Sequence, residues 1–133
     1  MRHKLIHIKI AEEADIAKAI SAAGDLAKMA GCGKINQCLI ATAVSELARN
    51  IFVYALKGEV RLMILEKNGQ SGIEVIAEDK GPGIRDIAGV MGDDYISAQG
   101  LGMGLKRVKR LMDEFIIDSK PGRGTNITAK KWC

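Results

Sequence analysis

Four short stretches of this chain carry residues that could do chemistry. The first is a polar stripe, Thr42, Ser45, Glu46, Arg49 and Asn50, set in an otherwise apolar segment from Leu39 to Leu56. Residues three and four apart share one helical face, and Glu46 and Asn50 would lie ~40° apart in rotation and roughly 6 Å along the axis. An Asn carbonyl oxygen is a hard ligand suited to Mg²⁺, which keeps most of its waters and takes phosphate oxygens for the rest. A carboxylate one turn earlier is placed to accept a proton from an attacking hydroxyl. The plainer alternative is that Glu46 pairs with Arg49 and Asn50 caps a neighbouring backbone.

The other three stretches are glycine-rich. Asp79-Lys80-Gly81-Pro82-Gly83 directly follows an alternating segment in which Ile73, Val75, Ala77 and Asp79 share a face. A carboxylate there, at the rim of a core, needs a donor: the exocyclic amine of an adenine, or a protein group. Gly81 and Gly83 let a flat ring approach the backbone, although alone they read as an ordinary turn. Gly100-Leu101-Gly102-Met103-Gly104 opens a helix, so several backbone N–H groups and the helix dipole can face one anion. No GxxxxGK[ST] loop is present, and no strand runs straight into these glycines. Gly122-Arg123-Gly124-Thr125 opens the last strand, with the Thr125 hydroxyl on the face of Ile127 and Ala129.

The elements that must position these groups follow from periodicity. Alternation predicts strands over Lys4 to Ile10, Val60 to Glu66, Ile73 to Asp79, Phe115 to Ser119 and Thr125 to Trp132, with Asn68-Gly69 as a hairpin turn. Helical spacing predicts helices over Glu12 to Ala30, Lys34 to about Leu56 and Leu105 to Met112, plus a helical turn around Ile87 to Met91. The strands and helices do not alternate regularly. The expected fold is an α+β two-layer sandwich, a mixed sheet of about five strands with three helices on one face. The second helix, apolar nearly all round, is expected at its centre. With 133 residues, no linker and no repeat, residues 1–133 read as one domain.

Composition bounds the function classes. A net charge of +4 with both signs dispersed is too weak to argue nucleic-acid binding, and the scarcity of aromatics removes the stacking platforms that single strands require. The cations Lys106, Arg107, Lys109 and Arg110 read first as a solvated face, second as a dock for an acidic partner and third as a nucleic-acid contact. His3 and His7, four apart on a strand, lack metal-site spacing. Three cysteines without a CxxC pair suggest neither a disulfide framework nor a zinc site; Cys32 and Cys38 read as small core residues. No apolar run long enough to span a bilayer and no leader-like start are evident, so the expectation is a cytoplasmic protein acting on neither membrane nor nucleic acid.

Taken in order, Glu46-x-x-x-Asn50, Asp79-x-Gly81-x-Gly83, Gly100-x-Gly102-x-Gly104 and Gly122-x-Gly124-Thr125 resemble the N, G1, G2 and G3 boxes of the GHKL ATPase/kinase superfamily, the Bergerat fold, over nearly the whole chain. Most members carry further domains. This chain is similar instead to the small anti-sigma-factor-type serine/threonine kinases, and most of all, through Ser45 to Ile51, Ala77 to Ile84 and Val108 to Phe115, to the switch kinases of the bacterial stressosome. The resemblance implies a kinase that uses ATP and Mg²⁺ to phosphorylate Ser or Thr of STAS-domain scaffold or antagonist proteins in partner switching. Whether the downstream effector is a phosphatase or another signalling protein stays open. It implies Glu46 as general base and Asn50 as magnesium ligand. It implies Asp79, Gly81, Gly83 and Thr125 at the adenine, and Gly100, Gly102, Met103 and Gly104 at the phosphates, with Gly89 to Gln99 in a short lid. One departure is Tyr54, where some relatives carry a His. The alternative function is a non-catalytic, ATP-liganded module that sequesters a regulator, as anti-sigma factors do.

Overall fold

The computed structural model describes residues 5–92 and 101–133. Five strands form one sheet: β1 (Leu5–Ile10), β2 (Gly58–Lys67), β3 (Gln70–Asp79), β4 (Glu114–Lys120) and β5 (Gly124–Trp132), in the order β1-β2-β3-β5-β4. Every neighbouring pair is antiparallel, so the sheet is not the mixed one that the sequence suggests. The reason lies in the connections. The β2–β3 and β4–β5 pairs are tight hairpins, which must be antiparallel. The long β3-to-β4 excursion then brings β5, rather than β4, alongside β3. At the first hairpin Asn68 and Gly69 both take positive φ, 54° and 79°, as a two-residue primed turn demands.

Alternation puts Ile10, Val60, Leu62, Ile73, Val75, Ala77, Ile127 and Ala129 on one face, all buried. Against it pack α1 (Ala14–Met29), α2 (Lys34–Asn50) and α4 (Leu101–Leu111); a short α3 (Ile87–Val90) lies in the connection. Helix α2 lies between α1 and α4, with Ile40, Ala43, Val44, Leu47 and Ala48 buried. It does not stop at Asn50. Ile51–Ala55 continue as a π-helical turn, making one helical stretch from Lys34 to Ala55 of 22 residues. By length and composition alone that stretch is apolar enough to cross a bilayer, where the sequence reading found no run long enough, but the core helix of a folded domain passes the same test. Here it packs as the middle helix over the sheet.

The cysteines also differ from expectation. Cys32, buried after α1, is disulfide-bonded to Cys133, 101 residues away, while Cys38 is exposed rather than in the core. Sequence spacing carries no sign of such a pairing. It arises because the end of β5 returns to the α1–α2 turn, where Asn36 Nδ2 donates to the Trp132 carbonyl and the Cys133 N–H donates to Ser71.

Candidate functional site

Helix α2 brings Glu46 and Asn50 to the same side, facing the first turn of α4. The contact point is Gly104. A Cβ there would stand 2.8 Å from Glu46 Oε2 and 3.5 Å from Asn50 Oδ1, so the absence of a side chain is what lets these polar groups meet the start of α4. Gly102 and Met103 lie in that same first turn, with the Met103 side chain exposed. Gly100 lies outside the described residues, as do His3 and positions 93–99 of the expected lid. Of the expected lid, Gly89 to Gly92 are described; Gly89 and Val90 end α3, which Asp86 caps by accepting from the Gly89 N–H at 2.9 Å.

Glu46 does not pair with Arg49, which is exposed. Its Oε1 instead accepts from Arg107 Nε of α4 at 3.0 Å. Asn50 Nδ2 is buried and has no hydrogen-bond partner among the described residues. An unmet buried amide carries a real free-energy cost, ~1–3 kcal/mol, unless a ligand or water meets it.

The end of the site on the sheet is built by strand register. Asp79 of β3 lies opposite Thr125 of β5, and Thr125 lies opposite Ser119 of β4, so three polar side chains line up across the sheet end. Asp79 Oδ1 accepts from the Gly81 N–H at 2.9 Å, which leaves capacity on its other oxygen. Burial pushes the Asp79 carboxyl above its ordinary value of 3.8; the Gly81 and Thr125 N–H groups oppose the shift, and neighbouring Glu78 adds to it. Sequence reasoning missed Ser119, the buried hub of this end. Its hydroxyl accepts from the Ile84 N–H at 2.8 Å and donates to the Gly124 carbonyl at 2.9 Å, with Thr125 Oγ1 at 2.8 Å. The signal was available, because Ser119 continues the inward alternation of Phe115 and Ile117.

The glycines here are demanded by close approach. Gly83 has φ +75°, and a Cβ on it would run into the Lys120 carbonyl. At Gly81 a Cβ would stand 2.6 Å from the Cβ of Ala55, so the π-helical turn that extends α2 rests on the Asp79-to-Gly83 loop. Between them lies a small cavity of about 80 Å³ whose walls include Asn50, Tyr54, Asp79, Gly83, Leu105 and Ile127. A more open cleft of about 300 Å³ lies on the charged side of Asp79, among Lys80, Asp118, Lys120 and Arg123. It lacks the apolar floor on which a flat base would stack, so the smaller cavity is the nucleotide candidate.

A carboxyl, a small and largely apolar cavity and a glycine-bearing helix start thus lie together between α2, α4 and the end of the sheet, an arrangement that can take a nucleotide. The family model described as the histidine kinase-like ATPase domain matches residues 10–131, and the chain belongs to that family. Among its relatives is the serine/threonine-protein kinase RsbT of Bacillus subtilis, 48% identical over 125 residues that cover 94% of each chain. At that identity and coverage this chain is a protein serine/threonine kinase that uses ATP. The anti-sigma F factor of Caldanaerobacter subterraneus is 30% identical over 99 residues, covering 70% of this chain and 68% of the relative. Among solved structures, the mycobacterial sensor histidine kinase MprB superposes with a TM-score of 0.58 at 17% identity, over 98% of this chain and 97% of that one. The structure titled as the SiaB–SiaC complex of Pseudomonas aeruginosa gives 0.56 at 10% identity, over 98% and 89%. Both share the fold.

Proposed function

We propose that this chain, acting as one unit over residues 1–133 in the cytoplasm, transfers the γ-phosphoryl group of Mg-ATP to a serine or threonine hydroxyl of a STAS-domain protein and so switches that protein's partners. The observation that carries the reading is the meeting of Glu46, Asn50 and Gly104 at one helix start, with Asn50 Nδ2 buried and without a hydrogen-bond partner among the described residues, a donor open to a phosphate oxygen or water. The donor set fits Mg²⁺: a single neutral oxygen from Asn50, the remaining positions being left to phosphate and water. When bound, the metal would neutralise charge on the phosphates. Asp79 accepts from the adenine amine, Thr125 is held beside it by Ser119, and the N–H groups at the start of α4, from Gly102 to Gly104, face the phosphates. Glu46 Oε2 takes the proton of the substrate hydroxyl as the bond to phosphorus forms. Phosphoryl transfer needs little covalent chemistry from the protein, so this positioning supplies most of the rate. The named activity of the kinase relative supports the reading, and the substrate chemistry follows from the resemblance to stressosome kinases.

The test combines ATP titration with and without Mg²⁺ and transfer of radiolabelled γ-phosphate to STAS-domain proteins of the same organism. Wild type should bind, Asp79→Asn should weaken binding, Asn50→Ala should abolish its Mg²⁺ dependence, and Glu46→Gln should bind ATP but transfer far more slowly. Wild type that binds ATP and a STAS-domain protein yet transfers no label would replace this reading with that of a sequestering module.

A further inference from the structure

Among the exposed cations of α4, Arg107 has a specific partner inside the site. Its Nε donates to Glu46 Oε1 at 3.0 Å, joining residues 61 apart in sequence. The Glu46 side chain is 17% exposed and that of Arg107 45%, so the bond sits at the mouth of the site, half shielded from water. Glu46 Oε2 lies against the bare α-carbon of Gly104, one helical turn before Arg107 on the same face of α4. One helix therefore holds both oxygens of the carboxylate, by a hydrogen bond on one side and by a missing side chain on the other.

We propose that Arg107 is a positioning residue for phosphoryl transfer: by binding Oε1 it turns Oε2 of Glu46 toward the phosphate-binding start of α4, where the substrate hydroxyl arrives. The proposal rests on Glu46 acting as the base. In the step, Oε2 receives the hydroxyl proton, the hydroxyl oxygen bonds to the γ-phosphorus, and the bond from that phosphorus to the bridging oxygen breaks, leaving ADP. Arg107 stays protonated and gives up nothing. Its part is geometric, and that makes guanidinium the required group. Nε–H lies in a rigid plane and donates along a set direction, so with Gly104 against Oε2 the bond to Oε1 restricts the rotation of the carboxylate. A lysine ammonium keeps the charge but rotates freely and does not fix that direction.

Two measurements test this. The first needs only the protein. In a ¹H–¹⁵N spectrum the Arg107 Nε–H, assigned by its loss in Arg107→Lys, should be slow to exchange and should become fast-exchanging in Glu46→Ala; a signal indifferent to Glu46→Ala overturns the contact. The second is single-turnover transfer of labelled γ-phosphate, with kinase in excess, to a STAS-domain protein that wild type modifies. Arg107→Ala, an exposed helical position that Ala suits, should slow transfer ~tenfold, as expected for loss of a partly exposed charge-assisted bond, while leaving the KM for ATP within threefold. Arg107→Lys should recover no more than a third of the lost rate. In a Glu46→Gln background Arg107→Ala should cost nothing further. Full-rate Arg107→Ala, full rescue by Lys, or an undiminished loss in the Glu46→Gln background would each overturn the proposal. Full-rate Glu46→Gln would sink the base assignment and this proposal together, whereas a slow Glu46→Gln beside a full-rate Arg107→Ala sinks only this one.

Discussion

Gly104→Ala is the sharpest probe of how the site is built, because its effect on chemistry and its effect on stability should have opposite signs. The added Cβ would lie 2.8 Å from Glu46 Oε2, and ordinary contact begins at 3.4 Å, so the carboxylate must retreat by about 0.6 Å. What it meets is the end of a flexible side chain, and Asn50 at 3.5 Å is already in ordinary contact, so the fold gives way at little expense. Replacing Gly inside a helix with Ala adds ~1 kcal/mol of helix propensity. The melting temperature should therefore hold or rise. Transfer should fall: a 1 Å misplacement of a catalytic group can cost ~100-fold, so 0.6 Å corresponds to roughly tenfold or somewhat more. The backbone N–H proposed to face the phosphates survives in Ala, so ATP affinity should stay within about threefold. Thermal melting, calorimetric ATP titration and single-turnover transfer on one preparation separate the three effects. Transfer within twofold of wild type would refute the argument that Glu46 depends on a bare α-carbon at Gly104; a collapsed melting temperature would show that the helix start cannot accept even a methyl group.

Four further outcomes are expected. ATP binding should weaken on acidification at pH values above 3.8, because burial raises the Asp79 carboxyl and its ionised form, the proposed acceptor for adenine, is lost as pH falls through that raised value; calorimetry should find this acidic limb missing in Asp79→Asn. The same shift means that Asp79 ionises less readily in the folded chain, so its contribution makes stability fall as pH rises from 3.8 toward the raised value. Ser119→Ala should lower stability by about 1–3 kcal/mol in a denaturant melt, since it strands the Ile84 N–H and the Gly124 carbonyl in a buried place, and it should weaken ATP binding by loosening Thr125. Gly83→Ala should be worse, on the order of 3 kcal/mol or more, because positive φ is compounded by a clash with the Lys120 backbone, which cannot swing aside; a melting temperature unchanged from wild type would contradict this.

What the sequence disclosed was whatever repeats at short range. The four-residue spacing of Glu46 and Asn50 placed them together on α2, and strict alternation put Asp79 and Thr125 on the inward face. What it hid was settled by distant segments meeting. Arg107 is 61 residues from Glu46, and nothing in the basic run of α4 distinguishes it from its neighbours, so Arg49, one turn from Glu46, looked the better partner. Ser119 showed the right alternation but belongs to a residue type that is usually unremarkable on a strand, and its value appears only when β5 and the loop after Gly83 arrive. The all-antiparallel order depends on which strand ends up beside β3, and no local pattern records that. The π-helical turn after Asn50 reads locally as more helix; its distinct geometry goes with packing on Gly81.

The lineup of Asp79, Thr125 and Ser119 also bears on how the chain comes together. β3 and β5 are separated by the whole excursion through α3, α4 and β4, so the register that creates the proposed adenine end is among the pairings with the largest loops to close. A folding chain can form the β2–β3 hairpin and the α1–α2 pair from near neighbours and still have no place for a base. ATP should then recognise only the completed sheet and ignore earlier, partly ordered forms. A ligand with that preference stabilises the finished state by mass action, ~2.7 kcal/mol at a concentration one hundred times its dissociation constant. In this chain the nucleotide would thus act as a late clasp, closing over a sheet that is complete only once the β4–β5 hairpin has paired with β3.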